Sequence, residues 1–270
     1  MKVCEVIETI LQEMCGDQRL EPTCDIISIG NKDAEVTGVV TTFMATVDVI
    51  RHAIEIGANF IITHEPTWFN GIDEEDWCQS DRVYLAKKKL IEEHGITIWR
   101  LHDHMHINPN KDYIYDGFLK EIGWTSYMLE DPKMPHAYEI PTTTVDELAL
   151  FFKEKLEMDT IQIVGDGKMP VSRVGILVGG GSLGLGREVM PMEQMEQKNL
   201  DVMICGDITE WTLSAYINDA KQLGINRAMI VLGHERSEEA GMKYLAPWIK
   251  NLIPELDVTF VDAKEPFRYL

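Results

Sequence analysis

The sequence predicts an α/β fold, and three observations carry that prediction. Short Val/Ile/Leu-rich runs recur along the chain and stop abruptly at Gly or at an ionisable residue. Between them lie segments with apolar residues at helical spacing, several of them closed by Gly. Four of the apolar runs end in His, Asp or Glu: at His64-Glu65, at His102 to His106, at Asp207 to Glu210, and at His234 to Glu238. Parallel strands that carry such residues at their carboxyl ends gather them in one crevice, where this class of sheet places its chemistry.

In chain order, the stretch from Val3 to about Met14 has an amphipathic helical pattern, and Ile26 to Gly30 follows as a strand. Val36 to Met44 is rich in β-branched residues, as strands are. Thr46 to Gly57 has the helical period, and Ala58 to Thr63 is a buried strand that stops at His64-Glu65-Pro66. Pro66 biases Glu65 toward an extended backbone, so His64 and Glu65 point in different directions, which suits two ions better than one. A polar, Trp-containing loop covers 68 to 77, and the helix from Arg82 to about His94 closes on Gly95. Ile96 to Leu101 then runs as a strand into His102-Asp103-His104-Met105-His106. Three histidines at alternate positions share one face if this stretch is extended, and His102 and His106 share one if it is helical.

Asn108 to Asp112 is a turn and Tyr113 to Ile122 a helix; the proline punctuation from Asp131 to Pro135 divides the chain into lobes at 1–130 and 131–270. Thr144-Val-Asp-Glu147 is a capping box that opens a helix reaching about Leu156. Strands at 160–165 and 173–178, joined through Gly165 to Pro170, read as a hairpin. The segment Gly179 to Gly186 contains G-x-G-x-x-G with Asp201 about twenty residues on, the spacing of a dinucleotide fingerprint. Pro191 and a polar, Met-rich stretch stand where that fingerprint needs a long helix, which argues against NAD. A loop whose backbone N–H groups approach an anion fits better, with Gly180, Gly181 and Ser182 as substrate-binding candidates. Leu200 to Cys205 is a strand, Leu213 to Leu223 a helix, and Ala228 to Leu232 a strand ended by Gly233. In the final helix His234 and Glu238 stand one turn apart on one face, so an imidazole and a carboxylate can reach the same ion. The competing explanation is an acidic first turn favoured by the helix dipole.

Composition narrows the function. A net charge of −20 over 270 residues argues against nucleic-acid binding, which needs concentrated Lys and Arg. Five widely spaced cysteines without a C-x-x-C pair point to a reducing compartment and away from a zinc ribbon. The opening residues contain no uninterrupted apolar segment, so neither a signal peptide nor a membrane span is expected, and the protein is expected to be cytoplasmic. His and carboxylate residues converging in this number imply one metal ion with spare groups, or two ions about 3.5 to 4 Å apart sharing a bridging carboxylate.

These motifs, in this order, resemble the Nif-three-like dinuclear-metal family, whose members are often called GTP cyclohydrolase I type two. The likeness rests on IITHEP at 61–66, the histidine-rich segment after a strand, the GGGS loop at 179–182, GDITE at 206–210 and GHERSE at 233–238. The family carries His-His-Pro where this chain has His64-Glu65-Pro66, and His-x-x-x-Asp where it has His102 to His106. Glu65 and His106 therefore stand as replacement ligands, while His64, His102, His234 and Glu238 match directly. The resemblance implies a two-lobed fold of mixed sheets flanked by helices, a metal site in the cleft between lobes, two divalent ions per chain (Zn, Fe or Mn), and a homo-oligomer, specifically a hexamer. The expected activity is metal-dependent hydrolysis of a nucleotide or other small substrate. His64, Glu65, His102, His106, His234 and Glu238 are the expected ligands, Glu238 the bridge, Glu210 the general base, His102 an alternative proton shuttle, and His104 a supporting or substrate-binding group. The rival expectation is a non-catalytic metal-binding or scaffold protein with the same ligands.

Overall fold

The computed structural model describes residues 1–108, 111–129 and 134–270; positions 109–110 of the expected turn and 130–133 at the expected lobe boundary lie outside the described residues. The chain forms two compact units, one of residues 1–117 with 239–264, the other of residues 118–238 with 265–270. The single cut at 130/131 read from the proline punctuation differs from this division, because the last long helix and the strand after it return residues 239–264 to the first unit. Chain return of this kind leaves no compositional mark.

In the first unit, helix α1 (Val3–Cys15) buries Val3, Val6, Ile10 and Met14, a stripe at helical spacing. Strands β1 (Ile27–Ile29) and β2 (Val39–Thr42) follow, then helix α2 (Val47–Glu55), whose first turn is closed by Val49 N–H on the Thr46 hydroxyl at 3.2 Å. Strand β3 (Phe60–Thr63), helix α3 (Arg82–Glu93), strand β4 (Thr97–Arg100), the single turn α4 (Asp103–His106) and the start of helix α5 (Tyr113–Ile122), whose residues 118–122 belong to the second unit, complete this run. Asp81 caps α3 by accepting from Val83 and Tyr84 N–H at 2.8 and 3.0 Å. Such a cap contributes about 1 kcal/mol.

The second unit contains strand β5 (His136–Thr144), helix α6 (Val145–Lys155), strands β6 (Gln162–Val164) and β7 (Pro170–Leu177), helix α7 (Met190–Gln197), strand β8 (Val202–Cys205), helix α8 (Ala215–Gln222) and strand β9 (Ala228–Val231). The capping box at α6 forms as the sequence predicts: Glu147 N–H reaches the Thr144 hydroxyl at 3.3 Å and Thr144 N–H reaches Glu147 Oε2 at 3.1 Å. Helix α9 (His234–Leu252) starts in this unit, and strand β10 (Val258–Phe260) follows it in the first.

Each unit is built on a five-stranded mixed sheet. The first runs β1-β4-β3-β2-β10, with β10, β2, β3 and β4 parallel and β1 antiparallel at the edge. The second runs β5-β7-β8-β9-β6, with β7, β8 and β9 parallel and antiparallel strands at both edges. Strands β2, β3, β4, β8 and β9 are buried at every position, which is why β3, β8 and β9 read as near-continuous apolar runs rather than alternating ones, while β2 and β4 bury Thr and Arg100 as well. The expected hairpin between β6 and β7 does not form. Strand β7 pairs with β5 and β8, whereas β6 crosses to the far edge and pairs with β9, Ile163 opposite Ile230. The Gly-rich turn between them gave a local hairpin signal, but α6 and both sheet edges decide the pairing. Val40, Ile50, Ile61, Trp68 and Ile98 centre one core, and Leu177, Leu200, Met203, Ile217 and Met229 the other.

Candidate metal centre

Parallel pairing of β3 and β4 puts their carboxyl ends side by side, Thr63 opposite Arg100, so His64 and His102 emerge together. The chain then turns into α4 rather than continuing extended. The cause lies 77 residues back: Asp25, its side chain 1% exposed, accepts the N–H groups of His102 and Asp103 at 2.7 Å each and of His104 at 3.1 Å. A carboxylate at a helix N-terminus satisfies donors that have no partner inside the turn. The turn sets His102 and His106 on one face, with ring centroids 5.0 Å apart, and the His64 ring lies 4.6 and 5.1 Å from them.

Each of these rings is held by Nδ1. His64 Nδ1 is 3.2 Å from the Leu101 carbonyl, His102 Nδ1 is 3.1 Å from Asp103 Oδ1, and His106 Nδ1 is 2.9 Å from Asp112 Oδ2. Those acceptors require a proton on Nδ1, which puts each lone pair on Nε2, the arrangement that orients imidazole ligands for a metal. One ligand atom from each of His64, His102 and His106 lies within 4.8 Å of the others, so the three could hold an ion. Burial, reinforced by the neighbouring His64 and His106 rings, pushes His102 down to about 4, leaving it neutral at pH 7. Glu65 borders the group, Oε1 3.8 Å from His102 Nε2 and Oε2 3.8 Å from the guanidinium of buried Arg100. Cys24, His102 and Asp103 form a second grouping, but burial and the Asp103 carboxylate push the Cys24 thiol up to about 12. It therefore remains a thiol, donating to Asp103 at 3.2 Å.

In the second unit β7, β8 and β9 end side by side, Leu177 opposite Cys205 and Cys205 opposite Val231. The residues that follow them meet. His234 Nδ1 lies 2.8 Å from Asp207 Oδ2, and His234 Nε2 lies 3.0 Å from Glu238 Oε2 one helical turn on. Gly179, at φ 49°, brings bare backbone against this pair: a β-carbon there would overlap Glu238 Oε1. Its N–H donates to the Ser237 hydroxyl at 2.9 Å, which in turn donates to the His234 carbonyl at 2.8 Å. The glycine loop is thus a 3-10 turn (Gly179–Leu183) packed on His234 and Glu238, not the start of a dinucleotide-binding helix.

A scan against family models matches residues 2–266 to Duf34/NIF3 (NGG1p interacting factor 3). The chain belongs to this family. It is 22% identical over 256 residues, 90% of each chain, to a Clostridium perfringens protein named GTP cyclohydrolase 1 type 2 homolog. It is 38% identical over 129 residues, 47% of this chain and 33% of the other, to a Staphylococcus aureus protein of the same name. The structure superimposes on that of a Bacillus cereus protein related to NIF3 with a TM-score of 0.75, at 15% identity and with 100% and 99% of the two chains covered, a shared fold. Within this Duf34/NIF3 chain, His64, His102 and His106 come together in the first unit and His234 and Glu238 in the second.

The other expected site residues fall differently. His104 is 2% exposed, and both ring nitrogens are engaged: Nδ1 2.6 Å from Asp25 Oδ2, and Nε2 accepting Leu20 N–H at 3.1 Å. It braces α4, the supporting alternative of the two roles expected for it. Ser182 is buried, its hydroxyl donating to the Asp207 carbonyl, so it shapes the loop rather than facing solvent. Gly180 and Gly181 follow the glycine that makes the close approach, Gly179. Glu210 is exposed, opens a π-turn (Glu210–Ser214) and lines a hollow of about 480 Å³ with Val164, Ser214 and Lys221. Asp25, Asp103, Asp112 and Asp207, which hold the histidines and the turn, were not assigned from sequence; Asp112 alone left a local signal, as an acidic residue just before a helix and six residues after His106.

Proposed function

We propose that this chain is a metal-dependent hydrolase of a small nucleotide-like or heterocyclic substrate, with two divalent ions per chain. The observation that carries the reading is the treatment of its histidines: His64, His102, His106 and His234 each have Nδ1 on a carbonyl or carboxylate. Buried His104 and exposed His94 have the same Nδ1 contact, so what marks His64, His102 and His106 as ligands is that arrangement combined with convergence, one ligand atom of each lying within 4.8 Å of the others. The first unit offers His64, Glu65, His102 and His106 as ligands, and the second His234 and Glu238. Mixed imidazole and carboxylate donors suit Zn, Fe or Mn. A divalent ion bound there would lower the pKa of a water and polarise the bond under attack. Asp103, Asp112 and Asp207 keep their histidines oriented, and Glu210 accepts the proton of the attacking water. The names of the bacterial relatives support a cyclohydrolase-like reaction. The free cysteines support a cytoplasmic setting, and among the described residues no helix is long and apolar enough to cross a membrane. Likeness to the family supports a homo-oligomer, a hexamer in particular.

The test is elemental analysis of untreated protein followed by turnover of GTP and simple phosphoesters. Metal-replete protein is expected to hydrolyse one of them, and Glu210→Gln to keep its metal and lose the rate. Stoichiometric metal with no turnover across the panel would instead favour the non-catalytic scaffold.

A further inference from the structure

Strand β6 is one edge of the second sheet, and its register leaves the backbone of a single residue facing outward. The N–H groups of Ala228 and Leu232 bond to the Asp201 and Cys205 carbonyls, on the β8 side of β9. Backbone groups alternate sides along a strand, so Ile230 also faces β8, while Met229 and Val231 face β6. Gln162 and Val164 lie opposite Val231 and Met229 and take those bonds. Ile163, opposite Ile230, therefore turns both its N–H and its C=O away from the sheet, and neither has a partner among the described residues. An edge in that state is a template for another chain.

The other edge of the same sheet is covered. Strand β5 has a register shift between Glu139 and Thr143, Tyr138 bridges to Met128, and the Ala137 carbonyl accepts Leu129 N–H at 2.8 Å. Bulges and covering segments are how proteins blunt an edge, and among the described residues β6 has neither. It borders instead the hollow of about 480 Å³, whose facing wall is Ser214 at the start of α8 with Asn218 and Lys221, positions that share one side of the helix. A strand edge beside a helix with open space between them suits β-strand addition, in which main-chain bonds give affinity and flanking side chains give specificity.

Charge specifies the occupant. Glu210 and Lys221 both line the hollow, both are exposed, and among the described residues neither side chain has an ion pair or a hydrogen bond. A phosphate or nucleotide phosphate accepts hydrogen bonds only, so it would serve Lys221 and the Ile163 N–H but oppose Glu210 and leave the Ile163 C=O unmet. An extended peptide offers an N–H and a C=O side by side and side chains of either sign. We propose that the groove between β6 and α8 binds an extended peptide, one residue of which exchanges N–H···O bonds with Ile163 in both directions, with a basic side chain on Glu210 and an acidic one on Lys221. The docking goes beyond the hydrolase reading and does not rest on it.

The probe is an array of end-blocked heptapeptides of alternating Val and Thr, with one Lys and one Glu moved through the positions and a matched set carrying Gln in place of both. Full-length protein is applied to the array, and the binders are titrated in solution by fluorescence anisotropy. Peptides with both charges are expected to bind saturably, and the Gln set roughly tenfold more weakly or worse. Lys221→Gln should weaken only the peptides that carry Glu. Ile163→Pro tests the mode of binding. Proline is tolerated on an edge strand where its missing N–H faces outward, so this variant should melt near wild type by circular dichroism and lose peptide affinity by roughly tenfold or more. If it melts well below wild type, the Ile163 N–H faces β9 and the proposal falls. Absence of saturable binding up to millimolar peptide, full affinity in Ile163→Pro, or equal affinity for the charged and Gln sets would each overturn it. So would peptide binding that appears only as an oligomer dissociates on dilution, because a second copy of this chain would then be what covers β6.

Discussion

Gly179 and Glu238 leave no space for a side chain between them: a β-carbon on the glycine would overlap Oε1 of the carboxylate and stand 2.8 Å from Nε2 of His234. The glycine also sits at φ 49°, where an L side chain costs about 1 to 2 kcal/mol. Gly179→Ala therefore carries two penalties, a backbone one and a displaced Glu238. We expect it to lower the unfolding free energy by at least about 1 kcal/mol and to reduce metal content in the same preparation. Gly180→Ala, with nothing within 4 Å of its β-carbon, is the matched control and should change neither. Wild-type metal content in Gly179→Ala would separate the glycine loop from the candidate ligands.

Asp112 has two tasks, one per oxygen. Oδ2 holds His106 Nδ1 at 2.9 Å, and Oδ1 accepts Tyr115 N–H at 2.9 Å to cap α5. The substitution Asp112→Ser keeps a capping oxygen but is too short to reach the imidazole. Its stability should stay within about 1 kcal/mol of wild type, while affinity for a titrated divalent ion falls roughly 10- to 100-fold. Parallel denaturation and metal titration read the two effects separately. An unchanged metal affinity would show that His106 needs no orienting partner.

The elements most legible in the sequence were those whose signal is local. Near-continuous apolar runs at β3, β8 and β9 follow from burial on both faces, and Thr144 with Glu147 fixed the start of α6. His234 and Glu238 were readable as a pair because a helix brings positions four apart together. What failed was non-local. β6 and β7 are separated by a turn that looks like a hairpin, yet their partners are β9 on one side and β5 with β8 on the other. Which of the two roles expected for His104 it fills, supporting or substrate-binding, depends on Asp25 at its Nδ1 and Leu20 at its Nε2, partners about 80 residues away that no local pattern reveals. Asp207 was visible as a strand-end residue, but its role depends on β8 and β9 being adjacent, which no spacing reveals.

Asp25 gives a sharper test of how the histidine turn is made. Its carboxylate takes two backbone N–H groups on Oδ1, and on Oδ2 it takes His104 N–H together with His104 Nδ1. In Asp25→Asn one oxygen can still serve His102 and Asp103, but the amide nitrogen then faces two donors. A tautomer switch in His104 does not help, since a proton on Nε2 would face Leu20 N–H. At least one buried donor is left without an acceptor, a cost of about 1 to 3 kcal/mol. Urea unfolding should show that loss, and His102 and His106, carried on the same turn, should bind metal more weakly. A variant as stable as wild type would mean that α4 does not depend on the buried anion.

Lys87 offers a prediction independent of any metal. It is 7% exposed, donates from Nζ to the Thr67 carbonyl at 2.9 Å, and stands 5.7 and 5.1 Å from the ring centroids of Trp68 and Phe69. Burial lowers its pKa from the ordinary 10.5 to about 8, against the opposing pull of Asp73. Between those two values the unfolded chain holds a proton that the folded chain has released, so stability from this group rises with pH across that window. Below pH 8 both states are protonated and the full cost of burying the charge is carried; above 10.5 both are neutral and that cost is gone. Lowering from 10.5 to about 8 corresponds to roughly 3 kcal/mol as an order of magnitude. Other groups titrate in the same range, so the informative quantity is a difference. Lys87→Met keeps the unbranched stem and removes the charge, and the unfolding free energy of wild type minus that of the variant should climb between pH 7.5 and 10.5. If the two stability curves run parallel over that interval, Lys87 enters the folded state with its ordinary proton affinity and the buried-charge account of this side chain is wrong.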